Sequence, residues 1–257
     1  MMAKRSTRRA FRRVHDAHGE IEGDNVRRLF DEPAWSPLDD EVRDEEHREQ
    51  KYRKNIRPQN ESQQRFLEAL DRSSLVFAVG AAGTGKTYLA VAKAVEALES
   101  GRVGRIILSR PAVEAGESLG FLPGDMEEKL SPYLRPLYDA LCDRMATKRL
   151  KALTAEGVIE IAPIAYMRGR TLNNAYVVID EAQNCTYAQL KMLLTRLGWH
   201  SKMVVTGDPA QTDLLPSLSG LQQVVDRLEH IEGVEAVRFT RGDVVRHPLV
   251  AEVIDAL

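Results

Sequence analysis

From residue 58 onward the chain alternates short unbroken apolar runs with stretches of helical spacing, whereas apolar positions before residue 55 are sparse. The runs at 75–79, 105–110, 158–162, 176–180 and 202–208 are rich in strand formers, and 234–239 reads as a sixth strand. Continuous apolar strands are expected where helices cover both faces of a sheet, because no strand face is left for solvent. Between the strands, 62–70 carries Phe66, Leu67 and Leu70 on one helical face, and 88–98 carries Leu89, Ala92, Val95 and Leu98 at helical spacing. Residues 188–197 and 220–228 also read as helices. Such alternation predicts an α/β fold with a doubly wound, mostly parallel sheet. The interval 111–157 is too long for a plain crossover. It contains Gly120-Phe121-Leu122-Pro123-Gly124-Asp125, then a helical stretch with Leu134, Leu137, Leu141 and Met145 on one face. A packed helical insertion is the simpler reading; a mobile element that senses nucleotide or grips a polymer is the other.

Composition narrows the class. With 257 residues, 43% of them hydrophobic and 29% charged, the chain can hold one sizeable domain plus a tail. We place the boundary between a charged tail at 1–55 and a globular domain at 56–257. The tail pairs a basic cluster (Lys4-Arg5, Arg8-Arg9, Arg12-Arg13) with an acidic one (Asp39-Asp40-Glu41, Asp44-Glu45-Glu46). It cannot bury enough surface to offset its ordering entropy, so a flexible segment is expected, with an arm for RNA or a partner as the functional alternative. The net charge of −2 gives no global attraction to nucleic acid, so any such surface must be a local basic patch. Cys142 and Cys185 are the only cysteines, which argues against a disulfide framework or a zinc cluster and fits a reducing compartment. No apolar run approaches the ~18 residues of a membrane span, and the basic start lacks the apolar segment of a secretory signal. A cytoplasmic protein without membrane association is the expectation.

The chemistry concentrates after the first strand. Gly80-Ala81-Ala82-Gly83-Thr84-Gly85-Lys86-Thr87 fits G-x-x-x-x-G-K-[ST] at every fixed position, between a strand and a helix. Glycines let the backbone curl so that its N–H groups converge on phosphate oxygens, and the helix N-terminus adds partial positive charge at the same spot. Lys86 would reach the β- and γ-phosphates and Thr87 would ligate Mg²⁺. Asp180 and Glu181, at the end of the fourth strand, supply a second Mg²⁺-directing carboxylate and a residue to polarise attacking water. A third strand end carries Thr206-Gly207-Asp208-Pro209-Ala210-Gln211. Parallel strands present their C-terminal ends along one crevice, so this loop should face the same phosphates, with Gln211 touching the γ-phosphate or the water and Asp208 supporting the metal. An Asp-Pro turn is its plain structural reading. No Asn/Thr-Lys-x-Asp guanine-reading segment is present, which favours adenine.

With these residues assembled, the chain resembles the PhoH family of P-loop ATPases, whose fold is like the first motor domain of superfamily 1 helicases. The likeness covers residues 57–257 and includes Arg110-Pro111, Leu119-Gly120-Phe121-Leu122-Pro123-Gly124-Asp125, Pro132-Tyr133-Leu134-Arg135-Pro136, Asp180-Glu181-Ala182-Gln183-Asn184, Gly207-Asp208-Pro209-Ala210-Gln211 and Asp243-Val244-Val245-Arg246-His247. The resemblance implies a RecA-like P-loop NTPase using ATP and Mg²⁺, with Asp180-Glu181 as the Walker B pair and Gln211 as γ-phosphate sensor. It puts Gln63 where related helicases read the adenine edge. It also implies a ring, expected to be a homohexamer, because helicases of this kind complete the site with an arginine from a second motor domain. Arg246, then Arg170, then Arg196 are the candidates for an arginine supplied by a neighbouring copy.

The reading that follows is a Mg²⁺-dependent ATPase coupling hydrolysis to binding, unwinding or remodelling of single-stranded RNA. Arg168, Arg170 and Thr171, beside Arg110, are the candidate strand-contacting residues. The alternative is a nucleotide-gated oligomeric scaffold with incidental turnover. A small-molecule kinase is a distant third reading, since Glu181 beside Asp180 suits activation of water better than phosphorylation of an alcohol.

Overall fold

A computed structural model describes residues 56–111, 126–215 and 218–245, with side chains in the first insertion helix described from residue 133 onward. The tail expected at 1–55, the glycine motif at 119–125 and Arg246 lie outside the described residues.

In chain order the elements are α1 (Glu61–Arg72), β1 (Leu75–Gly80), α2 (Lys86–Glu99), β2 (Arg105–Arg110), α3 (Met126–Cys142), α4 (Thr147–Ala155) and β3 (Ile159–Pro163). Then follow β4 (Ala175–Ile179), α5 (Tyr187–Leu194), β5 (Lys202–Gly207), α6 (Leu221–Leu228) and β6 (Val234–Phe239). The six strands form one sheet in the order β3-β2-β4-β5-β1-β6. Every pairing is parallel, so the expected mostly parallel sheet is wholly parallel among the described residues.

The pleat sorts the core into two halves. Val76 and Ala78 of β1, Ile106 and Leu108 of β2, Val178 of β4 and Val204 of β5 pack with Phe66, Leu89, Val95, Leu137 and Leu141 on the face of α1–α4. Their neighbours Phe77, Val79, Ile107, Val177, Ile179, Met203 and Val205 pack with Leu190, Leu193, Leu221 and Val225 on the face of α5 and α6. Side chains one position apart point to opposite faces, so each apolar run feeds both cores. That is why these strands are continuous and not alternating.

The insertion differs in detail from its sequence pattern. Two helices fill its described part, and Leu137 and Leu141 are fully buried on α3. Met145 is also buried but lies past the end of α3, in the turn before α4. The helical spacing continued through a bend that propensity alone did not mark.

The strand order positions the site. β4, β5 and β1 are consecutive neighbours in the sheet, although other elements separate them in the chain. Their C-terminal ends therefore lie side by side, and the loops after them share one rim.

Candidate functional site

The loop after β1 passes through left-handed backbone at Gly83 (φ 78°) and Gly85 (φ 86°), and Gly85 caps the start of α2. At Gly80 (φ 128°) a Cβ would stand 1.9 Å from the carbonyl oxygen of Phe239. Here glycine is demanded twice over, by the backbone angle and by the approach of β6. Lys86 is buried, and its Nζ donates to the carbonyls of Gly80 and Ala81, each at 2.7 Å. Burial pushes its pKa down, and Asp208, Glu181 and Asp180 push it back up. Burial is the larger effect, and the three carboxylates offset part of it.

Opposite the loop, Asp180 is buried, and its Oδ1 accepts from Thr87 Oγ1 and Thr206 Oγ1, each at 2.6 Å. Residues 87 and 180, chosen from sequence as the metal pair, are in direct contact. Glu181 follows in left-handed backbone (φ 52°, ψ 40°), rare for a residue with a Cβ and worth about 1–3 kcal/mol of strain held by its surroundings. Its carboxylate is gripped on both oxygens. Arg110 Nη2 donates to Oε1 at 3.1 Å, and Gln183 Nε2 donates to Oε2.

The third loop is tied to the first two. Asp208 Oδ2 accepts from the Ala82 N–H at 3.1 Å, and Oδ1 accepts from the Ala210 N–H at 3.0 Å. Asp208 therefore braces the glycine loop, where sequence reasoning had placed it beside the metal. Gln211 is exposed and lines the same cavity. A cavity of 270 Å³ opens here, bounded by Ala82, Gly83, Lys86, Thr87, Asp180 and Glu181, with Gly207, Asp208 and Gln211 on the far side. Tyr88, Gly85 and the glycine loop complete its rim.

A model of the PhoH-like protein family matches residues 55–257. The chain belongs to the PhoH family. PhoH-like proteins of Mycobacterium tuberculosis (strain ATCC 25618 / H37Rv) and Bacillus subtilis (strain 168) are 59% and 57% identical to it over 204 residues. Those matches cover 79% of this chain and 58% and 64% of the two relatives, so the chain spans about three-fifths of their length. Protein PhoH of Escherichia coli (strain K12) is 42% identical over 99% of this chain and 71% of its own length. Among solved structures, the large terminase from a thermophilic bacteriophage is similar at a TM-score of 0.47 and 11% identity, covering 77% of this chain and 50% of its own.

Not every residue picked from this PhoH-family sequence reaches the cavity. Gln63 is buried behind the glycine loop, where its Nε2 donates to the Thr84 carbonyl at 2.9 Å and its Oε1 accepts from the Gln59 N–H at 2.8 Å. Both halves of its amide are engaged by main chain, so it supports the loop and is not among the residues lining the cavity. Arg170 lays both Nη atoms on the Glu160 carboxylate, at 2.5 and 2.7 Å. Arg196 donates to the carbonyls of Met192 and Arg170. These are contacts within one chain, whereas the role expected of both arginines lies in a neighbouring copy's site. Arg168 and Thr171 remain exposed. Val245 donates its N–H to the Gly83 carbonyl at 2.9 Å.

Gln183 is the participant that sequence reasoning missed. It is buried, its Nε2 reaches Glu181 and the Gln211 carbonyl, and its Oε1 accepts from the Asp208 N–H. Asn184 makes a matching pair of bonds with Asp213. The only signal was their place beside Glu181 in the family-like Asp180–Asn184 string; their partners lie across the sheet rim.

Proposed function

We propose that this protein binds ATP with Mg²⁺ and hydrolyses it, using the energy for work on single-stranded RNA. The observation that carries the nucleotide half is the 2.6 Å contact of Thr87 with Asp180, inside the cavity that Lys86 and Glu181 also line. A threonine hydroxyl and a carboxylate are the hard oxygen donors that Mg²⁺ takes, one or two at a time, leaving its other positions to water and phosphate oxygens. Among the described residues no group of three or more His, Cys, Asp or Glu could hold a metal alone, which fits an ion shared with a substrate. Once bound there, Mg²⁺ supplies charge neutralisation to the phosphate oxygens.

The chain's own residues account for the rest. The amides of residues 83–87 wrap the β-phosphate and Lys86 exchanges its loop carbonyls for phosphate oxygens. Glu181 orients a water in line with the γ-phosphorus and accepts its proton as the bond to the leaving ADP oxygen breaks. Gln211 contacts the γ-phosphate from the third loop. The work on RNA rests on the family resemblance and on the exposed Arg168 and Thr171, with Tyr166 beside them 59% exposed. A neighbouring copy in a ring supplies the completing arginine, with Arg246, Arg170 and Arg196 of that copy as the candidates.

The test is turnover of ATP by the full chain, with and without single-stranded RNA. Glu181→Gln is expected to keep nucleotide affinity while lowering kcat by about 10²-fold or more. RNA is expected to stimulate the wild type, with binding that weakens as salt rises. Absence of both stimulation and salt-sensitive binding removes the RNA half. Unchanged turnover in Glu181→Gln removes the hydrolytic role of Glu181.

A further inference from the structure

Arg110 stands out because its side chain reaches Glu181 and α3 at once. It ends β2, and Ser109 is in register with Ile179 of β4. Arg110 is therefore the side chain of β2 that leaves the sheet beside Asp180 and Glu181. Pro111 behind it restricts its backbone to extended angles, which fixes the direction of departure. The guanidinium then divides its fork. Nη2 donates to Glu181 Oε1 at 3.1 Å, and Nη1 donates to the Tyr133 carbonyl of α3 at 3.2 Å.

We propose that Arg110 is a positioning residue for Glu181, orienting the catalytic carboxylate by tying it to α3; this rests on the ATPase reading above. An ordinary structural arginine in this chain looks different. Arg170 spends both Nη atoms on one carboxylate, with Met167 Sδ beside Nη1, and bridges no second element through its guanidinium. Arg110 instead links two elements that the sheet does not join. With Gln183 on the other oxygen, Glu181 is held at both ends, and the plane of its carboxylate is set. Each oxygen still has a lone pair to accept a water proton, so the grip orients the base without blocking it. The ion pair is partly solvated, with side chains 21% and 36% exposed, where such pairs add little to stability. Its contribution is direction. α3 is a firm anchor, since Leu137 and Leu141 seat it in the core.

The experiment measures steady-state ATP turnover, RNA affinity and thermal midpoint for Arg110→Ala and Arg110→Lys, and single-turnover hydrolysis in a Glu181→Gln background. Arg110→Ala is expected to lower kcat about 10- to 100-fold, as a misplaced reacting group does, with KM for ATP changed less than about two-fold. Arg110→Lys keeps one cationic arm and is expected to fall between. In the Glu181→Gln background, Arg110→Ala is expected to cause no further loss, because the two act as one unit. Turnover equal to wild type overturns the proposal, and turnover above wild type overturns it in favour of a restraint on Glu181. Lost RNA affinity with unaltered basal turnover overturns it in favour of a polymer contact. A full multiplicative loss in the Glu181→Gln background also overturns it. Should Arg110→Ala fail to fold, Arg110→Lys and Arg110→Gln carry the same kcat and KM readout. A wild type that binds ATP without hydrolysing it overturns the ATPase reading and this role together. A wild type that hydrolyses it beside an indifferent Arg110→Ala overturns the positioning role alone.

Discussion

At the scale of single residues, the site is built from groups whose conformations are held by neighbours distant in sequence. Glu181 keeps left-handed backbone because the Arg110 and Gln183 bonds and the buried Ala182–Asn184 turn surround it. Gly80 is the sharper case. Its φ of 128° is closed to L side chains, and a Cβ would meet the Phe239 carbonyl at 1.9 Å. Gly80→Ala is expected to destabilise the fold by about 3 kcal/mol or more, read as a loss of unfolding free energy in denaturant titration. A loss below about 1 kcal/mol would mean that β6 can move away from the loop, and that this edge of the site is soft. The motif spacing already demanded a glycine at position 80; the contact with β6 was not visible in it.

At the scale of elements, three helices set the loops that meet the cavity. α1 begins at Asn60, whose side chain accepts from the Gln63 N–H and donates to the Asp243 carbonyl. This cap fixes Gln63, and Gln63 in turn holds the Thr84 carbonyl of the glycine loop. α5 is closed by a capping box between Thr186 and Gln189. α3 carries the anchor for Arg110, and its seat is Leu137 and Leu141. Leu141→Ala is expected to cost about 2–5 kcal/mol by leaving a cavity against α2, measured from the midpoint of urea unfolding. A cost under about 1 kcal/mol would show that α3 can collapse onto the gap and is less firmly seated than the burial implies.

At the scale of the whole molecule, the two rims of the sheet differ in character. The C-terminal rim carries the site, and the opposite rim holds a cluster in which Lys202 donates to the carbonyls of Leu70 and Ser73 at the end of α1. Burial lowers the pKa of Lys202 to about 8, with Asp71 and Glu235 raising it and Arg102 and Lys93 lowering it further. Below about pH 8 the folded and unfolded chains both hold the proton, and the cost of burying the charge is fully present. Between about 8 and the ordinary 10.5 the unfolded chain binds more protons, so stability rises with pH across that window. The unfolding free energy of wild type minus Lys202→Met should therefore increase from about pH 8 to about pH 10, as followed by denaturant titration. A flat or falling difference would place the lysine in water.

Much of this architecture was legible without coordinates. Runs of strand formers marked all six strands within a residue or two. The unbroken apolar signature of burial on both faces belongs to the central β1, β2, β4 and β5, while the edge strands β3 and β6 carry charged residues and are only partly buried. Lys86, Thr87, Asp180 and Glu181 were legible because a phosphate loop and a strand-end acid pair each depend on contiguous residues. The reach of Gln63 and Arg110 was not legible, since each depends on which neighbouring element the fold brings within hydrogen-bond distance. Local spacing therefore determined the strands, the glycine loop and the acid pair that follows β4. Tertiary structure alone decided that β4, β5 and β1 stand side by side, and with that which side chains grip Glu181. A sequence records the order of elements along a chain. Side-chain partners follow their order across the sheet, which long-range pairing sets.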